Sequence, residues 1–413
     1  MRAVVAALTI ASLFSQFSLA PAHAAETLEN TYSVPGAESS VLSLDGTAVW
    51  VISYDSQALL KYSTSTFQLL KTIALGGSAF DLAMNPSGTK IYVALNGIAG
   101  VAVISTSTGT KTSTITTAGS NSGVAFSIDG TWAYVSSGGN ISKIAVADDS
   151  LTATVAIPGA SGLNDIKPSP DGNYLYLASG ANRNIFKVQT SDFSIVGTLS
   201  SISTRYLAIS PDGTIGYSLP YAGTSIFKFT TSTMAANGSI IGFSNPSQSN
   251  FTPDGQYLYV ANSGAANVKK VRVSDGAIVG NILGLQGTPW HLTVDPSGSY
   301  LFVSSSGNPG YFYQYKLDGG IVNLGISLPK IATYRESTTI TVSASSSAGK
   351  VTFYANSKYI SGCSRVQVNS GSASCTFKPS IHGVINISAI YVANSIQTNI
   401  ATSLIVNTRS NKR

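Results

Sequence analysis

Hydrophobic and polar positions alternate along most of this chain in short runs broken by turn residues, the pattern of half-buried strands rather than helices. Thr252-Pro253-Asp254-Gly255-Gln256-Tyr257-Leu258-Tyr259-Val260-Ala261-Asn262 shows the unit most clearly: a turn, then an alternating apolar run. Versions of its turn recur at Ser43 to Gly46, Asn85 to Gly88, Ser127 to Gly130, Ser169 to Gly172, Ser210 to Gly213 and Asp295 to Gly298. The seven glycines are separated by 42, 42, 42, 41, 42 and 43 residues.

The residue types follow from turn chemistry. Pro presets the first central dihedral, Asp or Ser bonds the local backbone, and Gly takes the position that needs conformational freedom. Leu44 and Ile128 replace Pro, and Ser87 and Ser297 replace Asp, so those turns are weaker versions of one device.

A short run enters each turn, in several repeats with large apolar residues flanking a small one, as in Leu82-Ala83-Met84, Val124-Ala125-Phe126 and Leu207-Ala208-Ile209. A strand leaves it carrying an aromatic four residues past the glycine: Trp50, Tyr92, Tyr134, Tyr176, Tyr217, Tyr259 and Phe302. Two further strand-like segments complete each period, for example Asn184 to Val188 and Phe193 to Leu199. Four strands in about 42 residues make one blade of a β-propeller, and seven periods make seven blades. The aromatics are expected to pack between blades. Asn30 to Val34 is expected to close the ring as the outer strand of the last blade, with Ile321 to Ser327 as its competitor.

The repeat resembles the YVTN-type β-propeller family, most visibly in SPDGNYLYLASGANRNIFKVQTSDFSIVGTL, Ser169 to Leu199, and in Thr252 to Leu283; the resemblance covers about residues 26 to 326. It implies a fold. Similar propellers include cell-surface proteins, periplasmic binding proteins, lactonase-like enzymes and domains of redox enzymes, so it does not choose a function.

The period stops after Leu328. Strands are readable at Thr339 to Ser343, Lys350 to Tyr354, Ser372 to Phe377, Val384 to Tyr391 and Ser403 to Asn407, which predicts a small β-sandwich. Gly349 to Tyr354, Gly362-Cys363, Ala373 to Thr376 and Ile387 to Tyr391 resemble a bacterial Ig-like repeat domain. The expected class is all-β: residues 25–327 a seven-bladed propeller, 328–413 an Ig-like domain.

The first residues change the picture of where this fold works. Arg2, the apolar run Ala3 to Ala20 and Ala22-His23-Ala24 read as a secretory signal over residues 1–24, cleaved before Ala25. No other segment is long and apolar enough to span a membrane. Only 10% of residues are charged, and without Arg2 the 23 Lys and Arg face 18 acids, a mild +5. The bases read as scattered, which does not support nucleic-acid binding. Lys269, Lys270 and Arg272 form the notable basic cluster of the propeller and fit the solvent face of a strand. An exported protein with a neutral polar surface is expected, released or attached to the cell surface.

Both cysteines, Cys363 and Cys375, are placed opposite each other on antiparallel strands about an Asn369-Ser370-Gly371 turn. A disulfide there contributes on the order of 3 kcal/mol. Two thiols without nearby histidines leave a tetrahedral metal site half filled, so no metal is expected. No cofactor motif is present: CxxCH, HExxH, GxSxG and the P-loop are all missing from the sequence.

Candidate chemistry sits where the repeat stops repeating. Seven residues before each motif glycine stand Ser39, Asp81, Gly123, Asp165, Tyr206, Gln248 and His291; one position earlier stand Glu38, Phe80, Ser122, Asn164, Arg205, Ser247 and Trp290. These positions open the innermost strands, near the channel mouth. Glu38, Asp81, Asp165, Arg205, Tyr206, Trp290 and His291 are the candidate ligand-binding residues. Two alternatives stand beside that reading. Asp81 and Asp165 bond amides of their own loops while His291 and Trp290 pack between blades, or Asp81 or Asp165, His291 and Arg205 converge as the base and oxyanion stabiliser of a lactonase-like hydrolase or isomerase. The expected partner of a non-catalytic face is an envelope glycan or protein, with the Ig-like module as spacer or adhesion element.

Overall fold

The computed structural model describes residues 26–220, 222–307, 309–317, 324–329, 331–344, 350–369, 372–393 and 396–407. The signal segment read at residues 1–24 lies outside them. Residues 25–320 and 321–413 form two compact units.

The first unit contains seven four-stranded antiparallel sheets. Their first strands are Ala37–Leu42, Ala79–Met84, Gly123–Phe126, Leu163–Pro168, Tyr206–Ile209, Pro246–Phe251 and Thr288–Val294. Each touches the first strand of the blades on either side, and that of blade 7 touches that of blade 1, which closes a ring around a central channel. The N-terminal strand Thr27–Ser33 pairs with Tyr311–Lys316, the third strand of blade 7, so the last blade is completed from the other end of the chain. The competing segment goes elsewhere: Leu324–Ser327 pairs with Thr338–Ala344 in the second unit. The boundary expected after residue 327 therefore falls earlier, at residue 320.

The turn is built as its residues require. Thr252 shows the pattern: its Oγ1 accepts from Tyr257 N–H at 3.0 Å and donates to Asp254 at 2.6 Å, while Asp254 accepts from Gln256 N–H at 3.0 Å. Gly255 N–H closes the turn on Thr252 O, and all seven motif glycines have φ between 68° and 74°, the left-handed region that a side chain resists.

The aromatics four residues past the glycines are all buried, and the core clusters containing them join neighbouring blades. The sequence pattern did not reveal what they face. In five blades the cross-strand partner is a lysine: Trp50 with Lys61, Tyr134 with Lys143, Tyr176 with Lys187, Tyr217 with Lys228 and Tyr259 with Lys270. Lys270 overturns the solvent-face reading of its cluster. It is buried, with Nζ 2.9 Å from Glu26 Oε1 and 4.7 Å from the centre of the Tyr257 ring. Glu26 also accepts from the Tyr259 hydroxyl at 2.8 Å. The chain just before the closing strand is thus clamped to blade 6 while the strand itself pairs with blade 7.

The second unit holds a three-stranded and a six-stranded sheet that share one apolar core, including Ile340, Val342, Phe353, Ile387 and Leu404. The five expected strands are present, the last running Ile396–Asn407. Cys363 and Cys375 are joined, with Cα atoms 5.5 Å apart. They do not face each other across one hairpin, as expected from their spacing. Cys363 lies in the loop after Lys358–Tyr359, and its carbonyl accepts from Phe353 N–H of the six-stranded sheet; Cys375 belongs to the three-stranded sheet. The bond therefore staples the two sheets together. Residues 370 and 371 of the expected turn lie outside the described residues, and Asn369 and Ser372 on either side of them are paired.

Candidate functional site

One backbone device recurs at the start of the innermost strands. In blades 1, 2, 4, 6 and 7 the pairing register shifts between the strand's first residues and the rest, as between Ala79 and Asp81 or Pro289 and His291. In blades 3 and 5 the residue before the strand bonds the partner that the strand's first residue already faces: Ser122 on Ser136 and Arg205 on Leu219. Such bulges re-aim side chains. Here they surround one end of the channel.

A recess of ≈ 100 Å³ lies there, lined by Phe80, Asp81, Asn96, Ser122, Asn164, Asp165, Arg205, Tyr206, Gln248, Trp290 and His291. Six of the seven candidate residues line it. Glu38 does not, and is buried behind the rim at 8% exposure. The volume is below the range of typical small-molecule pockets.

The ionisable groups are tied to the ring itself. Asp81 Oδ2 accepts from Val124 N–H of blade 3 at 3.0 Å, and Asp165 Oδ2 from Leu207 N–H of blade 5 at 2.8 Å. His291 Nδ1 accepts from Ser40 N–H of blade 1 at 3.3 Å. All three do the same work: a residue seven before one glycine holds the amide six before the next. The expectation that the aspartates bond their own loops is corrected accordingly, although Asp165 Oδ1 also accepts from the adjacent Ile166 N–H.

With Nδ1 an acceptor, His291 presents Nε2–H to Ser39 Oγ at 3.2 Å, and that hydroxyl donates to Asp81 Oδ1 at 3.1 Å. Burial, and secondarily Lys167, pushes the imidazole down to about 3, so the ring is neutral. Burial raises the Asp81 carboxyl, Lys167 opposing and Asp165 reinforcing the shift.

Lys167 is the residue that sequence reasoning missed. Its Nζ lies 3.0 Å from Asp165 Oδ1. Burial alone would lower its ammonium, but Asp165 and Asp81 outweigh that and raise it. A side chain 33% accessible yet enclosed by protein fits one that lines an internal channel. The signal was present: five residues before the glycine, where blades 2, 3 and 5 carry Ala83, Ala125 and Ala208, blade 4 carries Lys167.

No family model matches the chain, and no curated protein matches it in sequence. A solved structure does: a chain of the Kuenenia stuttgartiensis hydrazine synthase aligns at TM-score 0.62 and 16% identity, over 70% of this chain and 97% of that one. That likeness concerns the fold alone.

At the rim, Arg205 of blade 5 reaches past blade 6 to blade 7. Its guanidinium carbon is 5.0 Å from the Tyr206 ring centre and 4.8 Å from that of Trp290, the two rings meeting edge to face. Glu38 in blade 1 feels this charge, but burial dominates and raises its carboxyl to about 8; Arg205 opposes the shift and Asp55 adds to it. Its Oε2 has no hydrogen-bond partner among the described residues.

A carboxyl raised in the fold is bound more tightly by its proton there, so its stabilising contribution is full below about pH 4.5 and is lost as pH rises through about 8. Wild-type stability is therefore expected to fall across that window by up to about 1.4 kcal/mol per pH unit from this group. Urea unfolding at several pH values measures the slope, and Glu38→Gln should flatten it. An unchanged slope in the variant would show that Glu38 is not the titrating group.

Proposed function

We propose that this protein is an exported, non-catalytic binding propeller whose channel mouth recognises a small uncharged polar group on an envelope glycan or protein. The observation that carries this reading is the commitment of Asp81, Asp165 and His291 to neighbouring blades. The groups that acid–base chemistry would use are already bonded, and the imidazole is neutral with both nitrogens engaged. Beside them the recess is lined by Ser122, Asn96, Asn164 and Gln248, next to Phe80, Tyr206 and Trp290, with Arg205 as its cation. Amides and hydroxyls against aromatic surface suit hydroxyl or amide groups of a ligand.

The disulfide fits an oxidising compartment, and the signal segment supports export. No helix among the described residues is long and apolar enough to cross a membrane. The two-sheet second unit is read as the Ig-like spacer or adhesion module, and the propeller as a member of the YVTN-type group.

Retention of the mature protein on isolated envelope fractions tests the reading. Asn164→Ala with Gln248→Ala is expected to lower retention about tenfold, the loss of roughly two hydrogen bonds, with an unchanged melting temperature. Full retention by this variant would remove the mouth from the binding surface.

Glu38 supports a second reading, a lactonase-like hydrolase. It is a buried acid raised to about 8 beside an arginine, the kind of perturbation that catalytic acids show. Lactone or ester hydrolysis by the wild type that disappears in both Glu38→Gln and His291→Ala would establish it in place of the first.

A further inference from the structure

Counting the two units separately changes what the charge says. Residues 321–413 carry nine Lys and Arg against one acid, Glu336, a formal +8, whereas residues 25–320 carry 14 against 17, a formal −3. The scattered bases of the whole chain thus divide into a strongly cationic small unit and a weakly anionic large one. Such segregation marks a module that meets a polyanion.

The exposure of the bases agrees. In the second unit Lys350, Lys358, Arg365 and Lys378 are all exposed.

Two of these lysines face the same groove. It has a volume of ≈ 500 Å³, within the range of ligand sites, and lies between the Lys358–Tyr359 hairpin and the segment from Phe377 to Ile381. Lys358 and Lys378 line it, with Tyr359 exposed at 68% and its ring centre 4.8 Å from that of Tyr354. Asn356, Ser361 and Ser380 supply an amide and two hydroxyls.

We propose that this groove binds an acidic polysaccharide, with Lys358 and Lys378 meeting its carboxylates, Tyr359 packing on a sugar ring and Asn356, Ser361 and Ser380 meeting its hydroxyls. The components select this occupant. A concave groove fits a chain better than a flat bilayer surface. One exposed ring among hydroxyls suits a sugar better than a run of stacked bases, which needs repeated aromatics. The exposed bases Lys350, Lys358, Arg365 and Lys378 stand on separate segments of the unit, which matches a ligand with charge along its length. The proposal goes beyond the mouth reading and does not depend on it, because the residues are different.

Titration of the full mature chain with polygalacturonate tests it, with neutral dextran, anionic phosphatidylglycerol vesicles and single-stranded DNA as comparators. Polygalacturonate is expected to bind, and its affinity to fall about tenfold or more between about 50 and about 300 mM salt as screening shortens the reach of the lysines. Dextran should not bind. Lys358→Gln with Lys378→Gln should lose about tenfold or more in affinity, and Lys358→Arg with Lys378→Arg should keep most of it. Both variants should melt with the wild type, because the side chains are exposed. Tyr359→Ala should weaken polygalacturonate binding without changing its salt dependence. The Asn164→Ala, Gln248→Ala variant should bind polygalacturonate as the wild type does, which keeps this result separate from that for the mouth. Absence of polygalacturonate binding at low salt, undiminished binding by the double glutamine variant, or tighter binding to vesicles or DNA would each overturn the proposal.

Discussion

Replacing Lys270 with alanine is expected to cost about 3–5 kcal/mol, because it leaves the Glu26 carboxylate buried without its cation. The side chains of the pair retain only 6% and 4% of their surface, so water cannot take the place of the ammonium. The Tyr259 hydroxyl still donates to Glu26, but a neutral donor offsets a buried charge only in part. Packing is lost as well, since the ammonium lies 4.7 Å from the Tyr257 ring centre and 5.4 Å from that of Tyr259. Urea unfolding of the full chain measures the effect. Glu26→Gln combined with Lys270→Met should recover much of it, because no unpaired charge then remains. A loss below about 1 kcal/mol for Lys270→Ala would show that closure rests on the pairing of Thr27–Ser33 with blade 7 alone.

That clamp also shows where sequence reading stops. The turn motif was legible because its chemistry is local: a glycine held at positive φ, a hydroxyl and a carboxylate bonding amides within five residues. Repetition multiplied that local signal into a fold. Glu26 and Lys270 are 244 positions apart, and nothing in either neighbourhood announces the other. The lysines opposite the buried aromatics escaped notice for a related reason. An alternating strand with a lysine reads as solvent-facing until its cross-strand partner is known, and Lys187, with Nζ 4.0 Å from the Tyr174 ring centre, shows how a long side chain lies over a ring instead.

The site was half legible. Positions that close the ring but vary in polarity pointed to Asp81, Asp165, Arg205, Tyr206, Trp290 and His291, and six blades do bring their residues to one recess. What each side chain does there was not legible, because the amide that Asp165 holds belongs to Leu207, 42 residues later and one blade away. On the proposed reading, the bonded state of these groups is what favours recognition over catalysis. The charge of the second unit was legible in principle, but averaging over the whole chain hid it. Residues 321–327 carry no charge, so the asymmetry is the same with the boundary at 320 or at 327, and counting the two units apart is enough to show it.

Asp165→Ala is expected to cost about 3–5 kcal/mol. Its carboxylate accepts from Leu207 N–H at 2.8 Å and Ile166 N–H at 2.9 Å and faces the Lys167 ammonium at 3.0 Å, so alanine orphans two amides and half-strips a cation inside the channel. Asp81, which also attracts Lys167, is left to hold it alone. Asp165→Asn should fall between, since one amide oxygen can still accept from Leu207. Hydrogen exchange localises the effect: the Leu207 amide should lose protection, while Ser40, held by His291 between blades 7 and 1, should keep it. Stability lost without a change at Leu207 would place the cost in Lys167 alone. A cost below about 1 kcal/mol would mean that the neighbouring blade does not need this carboxylate, and Asp165 would then be better read as a group that meets the ligand directly.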